Sequence, residues 1–173
     1  MTIMSAGTKT DVEIRAAGEK GRGVFALRPF QKGEIVVVGR RVGVYPQRTI
    51  YSIQVDWDVH VEMDEPAIRI NHSDAPTTGV QDNPWGAFNF VALREIAMGE
   101  EITFDYETTE SELTDDFRAC CPPRPGQVSR NGFYSLPIAT REAYGKFVAN
   151  YLKSGESESS LRNVHPTSPL KSQ

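Results

Sequence analysis

The sequence predicts one domain that is mainly β with few helices. Its 173 residues, 39% of them apolar, are enough to bury a core without disulfide or metal support. Short apolar runs alternate with polar residues between Gly and Pro positions, which is typical of strands joined by tight turns. The clearest helical stripe lies near the carboxyl end of the chain.

The amino-terminal third is predicted to consist of short strands and turns. Val12 and Ile14 alternate with polar residues, which predicts an edge strand over residues 11–16. Gly21 and Gly23 follow in a turn, where glycine allows a close approach that a side chain would forbid. Further strands are predicted at residues 24–26 and 35–38, on either side of a turn at residues 28–33.

The middle of the chain continues this pattern of short strands. Alternating runs cover residues 41–44, 51–55 and 59–63 without a helical stripe. Residues 77–86 carry Gly and Pro among polar residues and are predicted to form a loop. Residues 88–96 are apolar on both faces, which predicts a strand in the interior of a β fold.

The carboxyl-terminal part contains the predicted helix. Residues 108–118 are polar and predict either a loop or a poor helical turn, and the prolines of residues 122–126 exclude helix interior and central strand. Thr140 can cap a helix that Gly155 ends. Its apolar positions have helical spacing: Tyr144, Phe147, Val148, Tyr151 and Leu152. Residues 1–10 predict a flexible leader, and the Ser-, Glu- and Pro-rich residues 156–173 predict a disordered tail.

Composition excludes several classes of protein. A net charge of -4 offers no electrostatic footprint for nucleic-acid phosphate. That charge would suit a basic substrate, although it is also the usual state of a soluble protein. The sequence has no long apolar run and no basic, then apolar, amino terminus, so we expect no membrane span, no secretory signal, and a cytoplasmic or nuclear-accessible protein. Cys120 and Cys121 are adjacent, which excludes a disulfide framework and a zinc site of four thiolates.

Two stretches some thirty residues apart carry groups suited to a binding site. The first places an amide, an imidazole and a hydroxyl on the consecutive residues Asn71, His72 and Ser73. The second, residues 99–106, is a Gly-Glu turn that runs into a short predicted strand ending at Tyr106. Alternate side chains of a strand share a face, so one wall should carry Ile102, Phe104 and Tyr106 and the other Thr103 and Asp105. Together they predict a site for a small ligand.

These stretches resemble the two signature motifs of the SET domain, the family of lysine methyltransferases that use S-adenosylmethionine. Asn-His-Ser-x-x-Pro begins at Asn71, and Gly-Glu-Glu-Ile-Thr-Phe-Asp-Tyr ends at Tyr106. A third segment, Gly-Arg-Gly-Val-Phe-Ala at residues 21–26, resembles the family's amino-terminal Gly-x-Gly motif. The three occur in the family's order over residues 20–106, and the ordered set is more specific than any one motif.

The resemblance implies the SET-domain β-clip architecture, with several small sheets and a knot-like threading of the carboxyl-terminal segment. Residues 11–109 would form the SET domain, and residues 110–155 a post-SET-like segment with the C-terminal helix. That helix is expected either to help close the lysine channel or only to cover core.

The resemblance also assigns roles to individual residues. Tyr106 would be the main catalytic residue, with Phe104 on the same wall and leaving room for more than one methyl group. Tyr45, Tyr51 and Phe104 would line the substrate channel. The residues expected to bind S-adenosyl-L-methionine are Gly21, Arg22, Gly23, Asn71, His72 and Tyr106.

The function implied is a protein-lysine N-methyltransferase that acts on a protein such as a histone. Asp74 stands where the family usually has a cysteine, and spaced cysteines for a post-SET zinc site are missing, so we expect no metal. Two alternatives remain open at this point: a SET-fold protein that acts on a small molecule, or one that binds a ligand or partner without catalysis.

Overall fold

The computed structural model describes residues 11–155, and ten short strands in three small sheets make up most of its regular structure. The predicted leader and tail lie outside the described residues. The strands are β1 (Val12–Ala16), β2 (Arg22–Ala26), β3 (Ile35–Val38), β4 (Arg41–Tyr45), β5 (Ile53–Asp56), β6 (Val59–Met63), β7 (Asn71–His72), β8 (Thr78–Asp82), β9 (Phe88–Ala92) and β10 (Glu101–Phe104).

The first sheet has the strand order β1, β2, β10, β7. β1 pairs antiparallel with β2 from Val12 opposite Ala26 to Ala16 opposite Arg22. β10 pairs antiparallel with β2 and parallel with the two-residue β7, which sets Asn71 opposite Thr103 and His72 opposite Phe104. β2 and β10, whose paired residues Phe25 and Glu101 are far apart in the chain, therefore meet in one sheet.

The other two sheets are antiparallel and have three strands each, in the orders β3, β9, β8 and β4, β6, β5. All three sheets contribute to one apolar core, together with residues 144–152. Burying a large apolar side chain stabilises the fold by about 1.5–3 kcal/mol. Seven large side chains of this core are almost completely buried: Phe30, Ile70, Phe88, Phe90, Ile96, Ile102 and Leu152.

Most of the predicted strands are confirmed. β1, β3, β4 and β6 lie where the alternating patterns placed them, and β5 begins two residues after the predicted start. β2 begins two residues before its predicted start, so Gly23 lies in the strand and not in the predicted turn. The fold class predicted from the sequence, mainly β with several small sheets and few helices, is thus the one observed.

The prediction of a loop over residues 77–86 is wrong, because β8 occupies Thr78–Asp82 and pairs with β9 along its whole length. Gly79 suggested a loop, but a Cβ atom there would lie 2.5 Å from Cβ of Phe147. The glycine is needed for close packing within a strand, which local composition does not reveal.

Two strand ends also differ from prediction. β9 ends at Ala92, not at Ile96, since Ile96 forms an isolated bridge with Phe30. β10 ends at Phe104, and Tyr106 begins a 3-10 helix, Tyr106–Thr108, for which Asp105 accepts a hydrogen bond from the Glu107 N–H. The simple alternation of two walls therefore stops before Tyr106.

The single C-terminal helix predicted from Thr140 is wrong. α2 covers Ile138–Tyr144 and a second helix covers residues 150–155, with Gly145 between them at φ 53°. That positive φ ends α2 at a residue that tolerates it. The apolar positions are nevertheless buried as expected, Tyr144, Val148, Tyr151 and Leu152 among them.

The segment between the SET-like sheets and α2 wraps over the end of β10. It contains α1 (Asp115–Cys120), capped by the Thr114 hydroxyl, and a 3-10 turn at Phe133–Ser135. Residues 122–126 have neither helix nor strand, as predicted.

The domain boundary at residues 109 and 110 and the knot-like threading stay predictions. Within residues 11–155, no helix has the length and apolar character that crossing a bilayer requires.

Candidate active site

Asn71 joins the three motif segments. Its side-chain amide donates to the Arg22 carbonyl at 3.0 Å and to the Glu101 carboxylate at 2.9 Å. Parallel pairing of β7 with β10 places it there, and the Ser73 N–H extends the pairing by donating to the Phe104 carbonyl. One amide thus holds the glycine turn against the strand that leads to Tyr106.

The glycine turn approaches Asn71 closely. Gly21 has φ 79°, in the region that favours glycine. A Cβ atom on Gly23 would lie 2.7 Å from Glu101 Oε1 and 2.9 Å from Asn71 Nδ2. The Gly23 backbone can therefore approach Asn71 and Glu101 this closely only because residue 23 has no side chain.

Tyr106 is fixed at both its backbone and its hydroxyl. Its N–H donates to His72 Nδ1 at 3.2 Å, and its hydroxyl donates to the Ile70 carbonyl at 3.0 Å. Burial, followed by the charge of Glu110, raises the pKa of the Tyr106 phenol well above its ordinary value. The group is consequently a neutral phenol at physiological pH and cannot serve there as a general base.

Tyr106 lies in the wall of a cavity of about 260 Å³. The predicted residues Phe104 and Tyr51 line the same cavity, and the Phe104 and Tyr106 rings lie 4.8 Å apart between centroids. The surface of the cavity is mostly apolar, and its apolar residues include Ile53, Met63, Ala67, Ile68, Ile70, Leu113 and Phe117. Desolvation in such a space disfavours a charged amine.

Tyr45 does not line this cavity. It lies at the end of β4, where burial and then the charge of Glu62 raise the pKa of its phenol. The other predicted cofactor residues also lie outside the cavity lining. Asn71 and His72 form β7 at the edge of the first sheet, whereas Arg22 and Gly23 lie in the interior strand β2, directly after Gly21.

Phe117 and Glu110 are among the cavity residues that sequence reasoning missed. Phe117 of α1 meets the His72 ring edge-on at 5.0 Å and the Tyr106 ring at 5.5 Å between centroids. Thr114 followed by two acidic residues was a usable helix-start signal for α1. Glu110 is a buried carboxyl in the cavity wall, where burial raises its pKa to about 7 against hydrogen bonds from Gln54, Arg48 and Thr109. No local sequence pattern predicts that a glutamate at this position is buried.

Sequence reasoning also missed a group of charged residues around His72 and the residue before Tyr106. Oxygen and nitrogen atoms of His72, Asp74 and Asp105 lie within 4.8 Å of one another, a grouping that could suit a metal ion. However, the guanidinium groups of Arg124 and Arg130 already pair with these carboxylates. Two fixed positive charges there oppose the binding of a cation.

The site combines a neutral phenol, a carbonyl that orients it, and a mostly apolar space of limited volume. Such a site can receive a long, thin side chain and direct one polar atom at its tip toward the hydroxyl oxygen of Tyr106. It contains the elements for positioning a nucleophile rather than for activating one by a strong base.

Comparisons with known proteins identify the family of this chain. The model of the family described as "SET domain" matches residues 21–107. The chain is 30% identical over 137 residues to the "Variant-silencing SET domain-containing protein" of Plasmodium falciparum (isolate 3D7), a match that covers 64% of this chain and 5% of that protein. It is 30% identical over 131 residues to the "N-lysine methyltransferase KMT5A-A" of Danio rerio, covering 61% of this chain and 38% of that protein. The chain spans far less than two thirds of either relative.

A crystal structure of a Plasmodium falciparum protein, described as a candidate histone methyltransferase, is 22% identical and covers 55% of this chain and 96% of that chain, with a TM-score of 0.46. The matched family segment is half of the present chain and contains the glycine turn, Asn71, His72 and Tyr106. The chain therefore belongs to the SET-domain family.

Proposed function

We propose that the protein is a protein-lysine N-methyltransferase that moves methyl groups from S-adenosylmethionine to a lysine amine of a protein such as a histone. The observation that carries this proposal is the position of Tyr106 in the wall of an apolar cavity. Its hydroxyl lies 3.0 Å from the carbonyl of Ile70, the residue directly before Asn71. The family membership and the name of the Danio rerio relative support the same reaction.

The residues around Gly23, Asn71 and His72 fit the proposed cofactor. The Asn71 amide and the Glu101 carboxylate lie close to the Gly23 backbone, and these two groups match the charged amino-acid end of S-adenosylmethionine. The rings of His72 and Phe117 offer flat surfaces for the adenine. When bound, S-adenosylmethionine supplies an electrophilic methyl group on a sulfonium.

Tyr106 would orient the amine. Its proton is engaged by the Ile70 carbonyl, so its oxygen is left to accept a hydrogen bond from a substrate amine. Orientation of reacting groups can lower a barrier by roughly 7–11 kcal/mol, whereas neutralising a lysine at pH 7 costs about 4–5 kcal/mol. The apolar cavity serves the second requirement because it disfavours the ammonium form.

The cavity rim suits a substrate with positive charge near the lysine. The exposed residues Glu112 and Asp116 line the cavity, with Arg48 as the basic residue among the lining. The net charge of -4 acts in the same direction. A basic protein segment is therefore the proposed partner class.

The test compares two tyrosine variants. Tyr106→Phe should reduce tritium-methyl transfer to histones or lysate proteins by at least about 100-fold while S-adenosylmethionine binding, measured by calorimetry, stays within about 3-fold. Tyr134→Phe is the matched control, since the Tyr134 hydroxyl also donates to a main-chain carbonyl, that of Leu152 at 2.8 Å, but does not line the cavity. It should keep wild-type transfer.

Two results would contradict the proposal. Wild-type transfer by Tyr106→Phe would remove Tyr106 from the reaction. Cofactor binding without transfer to any protein would favour a SET-fold protein that acts on a small molecule or only binds a ligand.

A further inference from the structure

We propose that Arg124 and Arg130 are positioning residues for the methyl transfer, acting on Tyr106 and His72 through three carboxylates. This inference rests on the proposed function. The carboxylates are Asp74, Asp105 and Glu107, and with the two arginines they are called the ionic cluster below.

Arg124 holds both chain neighbours of Tyr106. Its Nη1 lies 2.8 Å from Asp105 Oδ2, and its Nη2 lies 2.7 Å from Glu107 Oε2. The side chains of Asp105 and Glu107 are completely buried, and that of Arg124 is 7% exposed. Because residues 105 and 107 are both tied to one rigid guanidinium, the backbone of Tyr106 between them has little freedom.

Arg130 holds the loop that carries His72. Its guanidinium bonds both oxygens of Asp74, at 2.9 and 2.7 Å, and also contacts Glu107 at 3.2 Å. Asp74 Oδ1 lies 3.0 Å from His72 Nε2, and His72 Nδ1 accepts the N–H of Tyr106. Burial lowers the pKa of His72, so the ring is neutral at pH 7, with its proton on Nε2 and its Nδ1 free to accept.

Further hydrogen bonds fix the cluster in place. Glu107 Oε1 accepts from the Gln127 amide at 2.7 Å and from the Ser135 hydroxyl at 3.1 Å. Asp105 Oδ2 accepts from the Tyr144 hydroxyl at 2.7 Å. Although burial works against the charged forms, the partner charges raise the pKa of Arg124 and lower that of Asp74. Residues 122–135 are thus attached to the segment around Tyr106 by ion pairs and hydrogen bonds.

The two arginines should affect different kinetic constants. Lysine keeps the charge of arginine but is a single point charge that cannot bridge two carboxylates in fixed geometry. Arg124→Lys should lower kcat by about 10-fold or more and leave the Kd for S-adenosylmethionine within about 3-fold. Arg130→Lys should raise that Kd by about 10-fold or more and leave kcat at saturating cofactor within about 3-fold.

A spectroscopic measurement tests the same inference without activity. The 15N–1H resonance of Tyr106 should move in both variants, because its N–H bond to His72 depends on the ionic cluster. Arg28→Lys is the matched control, since Arg28 also pairs with two acidic residues, Asp11 and Glu34, and lies outside the cluster. It should leave the resonance, kcat and Kd unchanged.

Each outcome is decisive. Folded Arg124→Lys and Arg130→Lys proteins with wild-type kcat, Kd and Tyr106 resonance would overturn the inference, as would losses that only follow the unfolded fraction in thermal melts. If a lysine variant does not fold, Asp74→Asn, at a half-exposed residue, replaces it and must raise the Kd. If the wild type transfers no methyl group, the proposed function fails, while the Kd and the Tyr106 resonance still decide the positioning role.

Discussion

Glu110 is a buried carboxyl whose surroundings differ from those of an ordinary surface carboxylate. It is 7% exposed, and burial raises its pKa to about 7. In the unfolded chain a glutamic acid titrates near 4.3. The folded state therefore holds the proton to higher pH, and this contribution to stability is complete below about pH 4.3 and lost as pH rises through about 7.

The variant Glu110→Gln should remove that pH dependence. The wild type should lose roughly 2–3 kcal/mol of unfolding free energy through Glu110 as the pH rises from 5 to 8, and Glu110→Gln should not show this loss. Urea unfolding of both proteins at the two pH values measures this difference. The exposed Glu112→Gln is the control and should show no such trend. A difference for Glu110→Gln that is constant with pH would mean that Arg48 keeps the carboxylate ionised throughout.

Phe104 is the residue expected to control how many methyl groups one lysine can receive. It is 4% exposed, and its ring packs against those of Tyr106 and Phe90 at 4.8 and 5.2 Å. By family resemblance, a phenyl group here leaves space that a tyrosine hydroxyl would fill. We expect dimethyl- or trimethyl-lysine from the wild type and mainly monomethyl-lysine from Phe104→Tyr, measured by mass spectrometry of a modified peptide. Monomethyl product alone from the wild type would contradict this.

At the scale of elements, the start of β2 and the strand β10 contribute residues to the proposed cofactor site. Gly23→Ala would push a methyl group against the ends of the Glu101 and Asn71 side chains, which can move at modest cost. Binding of S-adenosylmethionine should weaken by about 10-fold or more, while stability falls by only about 1–2 kcal/mol.

Gly43→Ala provides the control for that variant. Gly43 also lies in a strand, but the nearest atom to its added Cβ would be 3.5 Å away. Calorimetry should find unchanged cofactor binding in Gly43→Ala. Equal losses in both variants would show that the Gly23 effect is a general cost of alanine in a strand.

At the scale of the whole molecule, the shared core predicts that the three sheets unfold together. The core draws residues from every sheet and from residues 144–152, so no sheet has a separate apolar interior. Trp57, in the β5–β6 turn, packs on Tyr134 and Tyr151, whereas Trp85 lies in the β8–β9 turn near Arg40. These tryptophans report on different sheets.

Single-tryptophan variants test this cooperativity. Trp57→Phe and Trp85→Phe each leave one fluorescent reporter, and each fluorescence transition should coincide with the far-UV circular dichroism transition of the same variant. Two separated midpoints within one variant would mean that the sheets unfold independently.

The sequence by itself determined the β class, most strands and the three motif segments, because alternation, turn residues and motif spacing are local properties. Through the family resemblance it also predicted one site for Tyr106, Asn71 and His72, and in the structure His72 accepts the Tyr106 N–H. Local patterns failed at β8, where Gly79 makes room for Phe147, and at the C-terminal helix, which Gly145 divides. Only the tertiary structure decided that Tyr51 and not Tyr45 reaches the cavity, and that Glu110 is buried in its wall. Only the tertiary structure joined Arg124 and Arg130 to the segment around Tyr106, since ion pairs between distant segments leave no periodic trace in the sequence.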